Sequence, residues 1–223
     1  MYLLDLHSGR SALLKTNVSD YSGNVALHWL DAATVLIVRG QRTNSEQPTS
    51  AIFRYNIQSG TMTQIFTPVY AEPFSELSLD RTLLALRDGA TMHNIYGFIK
   101  VIDVRNGRLV KRLGTGATLI RSQQWSPDSS ELAYSEGNQL KIWNRSNDTI
   151  RVLVTAPTGS HCDPQLMGNG IIAYSTDARA NGFKGSFILR DSHTGQELRR
   201  VADKVDGRII LLEELCERGS TGP

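Results

Sequence analysis

Trp125-Ser126-Pro127-Asp128-Ser129-Ser130-Glu131-Leu132-Ala133-Tyr134-Ser135, followed after Glu136-Gly137-Asn138 by Gln139-Leu140-Lys141-Ile142-Trp143-Asn144, decides how the rest of the chain is read. One strand ends at Trp125 and Ser-Pro-Asp makes a polar turn. Leu132-Ala133-Tyr134 is then an uninterrupted apolar run, as expected of a strand buried on both faces. The same strand, turn and apolar strand recur around Asp31 (HWLDAATVLIV), Asp80 (LSLDRTLLAL) and Asn169 (QLMGNGIIAYS). These four markers lie 49, 48 and 41 residues apart.

A second signal repeats in step with the first. Apolar runs end in Asp5-Leu6-His7-Ser8-Gly9, Tyr55-Asn56-Ile57-Gln58-Ser59-Gly60, Asp103-Val104-Arg105-Asn106-Gly107 and Asp191-Ser192-His193-Thr194-Gly195, with Asn144-Arg145-Ser146-Asn147-Asp148 as a weaker relative. The Ser-Gly, Asn-Gly and Thr-Gly pairs supply the positive φ of a tight hairpin, so a further short strand is expected after each. A period in the forties with four strands per unit is what propeller blades require, because one small sheet cannot cover both of its own faces and must stack on neighbours. The runs at 34–38, 83–86, 132–134 and 171–174 are the expected doubly buried second strands, whereas 51–57 and 139–143 alternate more.

Trp125-Ser126-Pro127-Asp128 with Leu132-Ala133-Tyr134 resembles the blade motif of TolB-type and WD40-like propellers, and Leu140-Lys141-Ile142-Trp143-Asn144 resembles the strand that ends in Trp-Asp in WD40 repeats. The unit from about 117 to 156 carries the resemblance most sharply. The Gly-His of WD40 units is absent, and Asn144 stands where Asp would follow the Trp. The resemblance implies stacked four-stranded blades used mostly for protein binding.

The expected fold is therefore an all-β propeller over residues 1–208: a partial blade at 2–16 and full blades at about 18–67, 68–115, 116–156 and 157–204. Residues 209–223 are expected to hold a closing strand, centred on 208–212, and a flexible tail. The spacing leaves the closing blade about one strand short, which points to a five-bladed ring with a degraded blade or to a piece of a larger propeller, with an open blade edge available for self-association.

Composition narrows the function. The chain has 223 residues, 40% of them apolar, enough to bury a core. Its 24 Lys and Arg against 22 Asp and Glu leave a formal charge of +2, too small to attract nucleic acid or anionic lipid by bulk electrostatics. Cys162 and Cys216 form no C-x-x-C motif. No run of about eighteen apolar residues occurs, so no membrane insertion is expected. The first residues do not read as a secretory signal, which makes a cytoplasmic location the default expectation and an extracytoplasmic one the expectation for a processed chain.

No nucleophile elbow, P-loop or dinucleotide fingerprint appears, and neither a cofactor nor a metal is expected. His161-Cys162-Asp163 is the densest group of ligand-type side chains, but adjacent strand residues point to opposite faces. The basic groups Arg105, Arg108, Lys111, Arg112 and Arg199, Arg200, Lys204, Arg208 lie on hairpins and outer strands, where charge keeps an edge soluble. Three connections between second and third strands are long, at 40–50, 88–97 and 176–185, whereas the equivalent at Gly137-Asn138 is minimal. Insertions gathered on one face of a repeat protein commonly form its binding surface. Arg42, His93, Tyr96, Arg179, Phe183 and Lys184 are the side chains within them suited to anchor a protein or peptide. The expected function is a noncatalytic scaffold. The alternatives are an accessory propeller of a larger enzyme or receptor, and a channel-site hydrolase or lyase using His28 or His161 with a bound metal.

Overall fold

The computed structural model describes residues 2–4, 11–13, 25–40, 50–67, 75–88, 97–156, 160–178 and 184–206. They divide into two compact units, one of residues 1–77 and 81–117, the other of residues 78–80 and 118–223. All the described elements are strands.

The first unit opens with a two-stranded sheet, β1 (Tyr2–Leu4) and β2 (Ser11–Leu13). Two four-stranded antiparallel sheets follow. One is β3 (Val25–Trp29), β4 (Thr34–Gly40), β5 (Ser50–Asn56) and β6 (Met62–Phe66). The next is β7 (Ser75–Leu77), β8 (Leu83–Asp88), β9 (Phe98–Asp103) and β10 (Leu109–Leu113). In both, the spatial order is the sequence order, the meander of a propeller blade. Leu36, Val38 and Ile52 of the first sheet form one buried cluster with Leu84, Leu86, Ile102 and Val104 of the second. Removing a Leu or Ile of this kind from water contributes roughly 1.5–3 kcal/mol, so this seam holds the two blades together.

The second unit repeats the plan. Its sheets are β11 (Ile120–Trp125), β12 (Glu131–Glu136), β13 (Gln139–Asn144) and β14 (Thr149–Thr155), then β15 (Ser160–Gly168), β16 (Ile171–Ala178), β17 (Lys184–Asp191) and β18 (Glu197–Asp206). Ala133, Leu140, Ile142 and Ala156 of one sheet bury against Leu166, Ile172, Tyr174 and Ile188 of the other. The architecture is thus four full propeller blades plus the two-stranded sheet β1–β2. The proposed closing strand at 208–212 lies outside the described residues.

The turns explain why the motif reads as it does. At the end of β11 the Ser126 hydroxyl donates to Asp128 Oδ1 at 2.6 Å, Ser129 takes φ +61°, and the Ser130 N–H donates to the same carboxylate at 3.1 Å. Ser78 and Asp80 make the same hydroxyl–carboxylate contact, at 2.6 Å, before β8. At the far end of each third strand, an Asn or Asp side chain folds the hairpin by accepting backbone N–H groups. Asn56 accepts from Ser59, Asp103 from Arg105, Asn144 from Ser146 and Asp191 from His193. Asn144 therefore does with an amide what the Asp of a Trp-Asp pair would do with a carboxylate.

One strand differs from its expected pattern. β5 sits between β4 and β6, and its residues Ala51, Ile52 and Phe53 are buried in succession at 4%, 0% and 9% exposure, so it is a doubly covered strand rather than an alternating one. β13 alternates over residues 139–142, half-buried and buried in turn, before Ile142 and Trp143 are buried in succession.

Candidate functional site

The three long connections leave the blades between β4 and β5, between β8 and β9, and between β16 and β17. Within each unit they emerge at the same end of the blades, because every second strand runs in the same sense through the meander. The first two are rooted beside buried side chains. Val38 and Ile52 flank the first, Leu86 and Ile99 the second, all at 0–2% exposure. The corresponding turn of the third blade is Gly137-Asn138, where Gly137 takes φ +61° and the Asn138 carbonyl accepts the Ala156 N–H at 2.8 Å. Arg42, His93, Tyr96, Arg179 and Phe183 lie outside the described residues. Lys184 is the first residue of β17, in register with Ala178 and Asp206.

The innermost strands carry the channel-site candidate. His28 Nε2 lies 2.9 Å from Ser75 Oγ, linking β3 to β7. Burial pushes the His28 pKa below its ordinary 6.5, with the Ser75 contact opposing weakly, so the imidazole is neutral at neutral pH. In the other unit Gln124 Oε1 accepts the Leu166 N–H at 2.8 Å, linking β11 to β15 in the same way. His28 and Gln124 each precede a Trp, so the two links occupy one position of the repeat. His161, Cys162 and Asp163 fall on β15, but their side chains lie outside the described residues. Among the described residues, no three His, Cys, Asp or Glu side chains converge as a metal site would need.

A cavity that the sequence reading did not foresee opens at the opposite end of the second unit, where the hairpin turns of its two blades meet. It has a volume of about 380 Å³ and is lined by Asp128, Glu131, Asn144, Asn169, Ser192 and His193 among others. Its carboxylates are committed. Hydrogen bonds from Ser126, then from Ser130, hold the Asp128 pKa below its ordinary value, so it stays charged. Glu131 Oε1 pairs with Arg151 Nη1 at 2.9 Å and accepts from Asn144 Nδ2 at 3.4 Å. Arg151 Nη2 also donates to the Ser192 carbonyl at 2.9 Å, so one guanidinium ties the two sides of the cavity together. Such a site offers fixed charges and hydrogen-bonding groups. Asp128 and Asn169 were visible in the sequence as turn markers, but nothing there showed that two turns from consecutive blades would face one another.

Three members of the basic groups have partners. Arg105 donates to Asp103 at 2.6 Å, Arg112 stacks 3.3 Å from the centroid of the Phe98 ring, and Arg200 pairs with Glu197 at 3.1 Å.

No protein-family model matches the chain, and no curated protein matches it in sequence. Solved structures do match in fold. An oligogalacturonate lyase in complex with manganese superposes with a TM-score of 0.66 at 14% identity, over 91% of this chain and 59% of the lyase. The β-propeller domain of the Trilobed protease from Pyrococcus furiosus gives 0.58 at 15% identity, over 83% of this chain and 59% of that one. TolB from Acinetobacter baumannii gives 0.54 at 15% identity, over 92% and 49%. The chain thus spans about half to three-fifths of the length of these structures. At such identities the likeness is one of fold, and that fold is the TolB-like β-propeller of four-stranded blades.

Proposed function

We propose that the chain is a noncatalytic scaffold that binds a protein or peptide through its long second-to-third-strand connections. The observation that supports this reading is the contrast among the connections between second and third strands. Three connections of different sequence are long, the first two rooted beside the buried Val38, Ile52, Leu86 and Ile99, while the fourth is closed to two residues. Rigid roots with variable tips are how a scaffold holds a recognition surface. Arg42, His93, Tyr96, Arg179, Phe183 and Lys184 are the proposed anchors, since aromatic and Arg side chains dominate interface energetics.

The test is a pull-down with the intact chain beside one whose three connections are trimmed to the length of Gly137-Asn138, with mass spectrometry of what is retained and thermal melting as the check on folding. A partner kept by the intact chain and lost by the folded, trimmed chain is the expected result. Equal retention by both removes these connections from the binding surface.

A second reading, a lyase or hydrolase acting in the channel with a bound metal, is favoured by the likeness to the manganese-bound lyase and by the neutral His28 on an innermost strand. The described residues fit it poorly, because His28 Nε2 contacts Ser75 and no three ligand-type side chains converge among them. A melting temperature raised by manganese in the native chain but not in His28→Ala supports this reading; no response to common divalent ions counts against it.

A further inference from the structure

The hairpin from β15 to β16 is a two-residue turn, Asn169-Gly170, between the paired residues Gly168 and Ile171. Both turn residues are left-handed, with φ +50° and +71°. A two-residue hairpin that follows the strands' right-handed twist selects these torsions, and Asn-Gly supplies them. A side chain there would also come to 3.3 Å from the His193 imidazole, a contact that the exposed ring can relieve by a small shift, so the torsions and not the space select the glycine. The fold thus demands the dipeptide whose backbone is most open to attack on an asparagine amide, because glycine has no side chain to shield its nitrogen. Whether such a pair reacts in a folded protein depends on what holds the amide and the nitrogen.

The described residues contain two Asn-Gly pairs, and they are held differently. At Asn106-Gly107, Asn106 Oδ1 accepts the Arg108 N–H at 2.9 Å, and the Gly107 N–H donates to the Asp103 carbonyl at 2.8 Å. Gly107 is also buried. Asn169 is exposed, and among the described residues neither its amide nor the Gly170 N–H makes a hydrogen bond. We infer that Asn169 is a site of spontaneous deamidation in the folded protein. The Gly170 nitrogen attacks the Asn169 side-chain carbonyl carbon, loses its proton and expels ammonia, which closes a five-membered imide. Water then opens that ring to aspartate or isoaspartate, so no reactant beyond water is needed. The product places an acid where the repeat carries Asp31, Asp80 and Asp128, and adds a carboxylate to the cavity that Asp128 and Glu131 already line. An isoaspartate also lengthens the backbone within a turn of two residues.

The test incubates the whole chain, folded in mildly alkaline buffer and, in parallel, unfolded in urea, and follows each Asn-Gly pair by peptide mapping, with Asn169→Asp as the standard for the product. In urea, Asn106, Asn169 and Asn181 share the same following glycine and convert at comparable rates. In the folded chain Asn169 should keep its unfolded rate to within about fivefold, whereas Asn106 should slow by at least about that factor, the net cost of breaking one hydrogen bond. Protection of Asn169 beyond that factor, or conversion of Asn106 as fast as Asn169, overturns the inference.

Discussion

At the scale of single residues, the hairpin glycines show both what the sequence carries and what it leaves out. Gly60, Gly107 and Gly195 were legible as turn residues, and they take φ +69°, +72° and +73°. In the third blade Asp148 stands in the same place at φ +57°, held by the Trp143 Nε1–H at 2.8 Å, which is why that turn lacked its glycine and read as a weaker relative. The surroundings of each glycine were not legible, because they depend on how closely the neighbouring blade approaches. A side chain at Gly60 would meet nothing within 4 Å, one at Gly195 would come to 3.1 Å from the Leu153 carbonyl oxygen, and one at Gly107 would overlap the Ile65 carbonyl oxygen. Three substitutions to Ala should therefore separate torsional strain from crowding. Gly60→Ala should cost about 1 kcal/mol for the left-handed backbone alone. Gly195→Ala should cost somewhat more, and Gly107→Ala more than about 3 kcal/mol, as overpacking adds to strain. Urea denaturation measures all three, and equal costs would mean that the blades yield at Gly107 rather than resist.

At the scale of strands, continuous apolar runs identified the second strand of every blade. Val35, Leu36, Ile37, Leu83, Leu84, Leu132 and Ala133 are all at 0–4% exposure. Run length was a poorer guide to the third strand, since Arg54 interrupts an otherwise apolar β5 whose neighbours are buried on both faces. Arg54 survives there because its Nη1 reaches the Arg105 carbonyl of the next blade at 3.1 Å. The outer strands follow another rule: Ile150 and Val152 on β14 are half exposed, as are Leu198 and Val201 on β18. The same charge should therefore act very differently on neighbouring strands. Ile172→Asp and Leu84→Asp place an unpaired carboxylate at positions with 0% exposure and should abolish cooperative folding, at a cost of several kcal/mol. Val152→Asp, at 50% exposure, should cost less than about 1 kcal/mol. A cooperative melt in Ile172→Asp would contradict the double burial of β16.

At the scale of the whole chain, the fold was legible because each blade repeats the same turn chemistry, whereas the site was not, because sites here are made where loops or turns of consecutive blades meet. Five of the six nominated anchors lie outside the described residues, and the cavity beside Asp128 had no motif of its own. The turn chemistry does set how the whole molecule responds to acid. Hydrogen bonds from Arg105 hold Asp103 at about 2, down from 3.8, and turn hydrogen bonds from Ser126 and Thr194 lower Asp128 and Asp191 as well. A carboxyl that is more acidic folded than unfolded contributes stability that is complete above the unfolded value and is lost as pH falls through the folded one. Stability should therefore begin to fall below about pH 6.5, where the buried His28 resists protonation, and should decline further between about 4 and 2 as the turn carboxylates are protonated. Repulsion among the 24 Lys and Arg and 5 His adds to the decline once the carboxylates are neutral. Asp103→Asn isolates the effect, because Asn56 and Asn144 already make the same turn with an amide. The Arg105 partner of Asp103 is three-quarters exposed, so the variant should lose less than about 1 kcal/mol at pH 7. In acid the gap between variant and native chain should close, and the slope of denaturation midpoint against pH should become shallower in the variant. An unchanged slope would mean that Asp103 does not contribute to the acid limit.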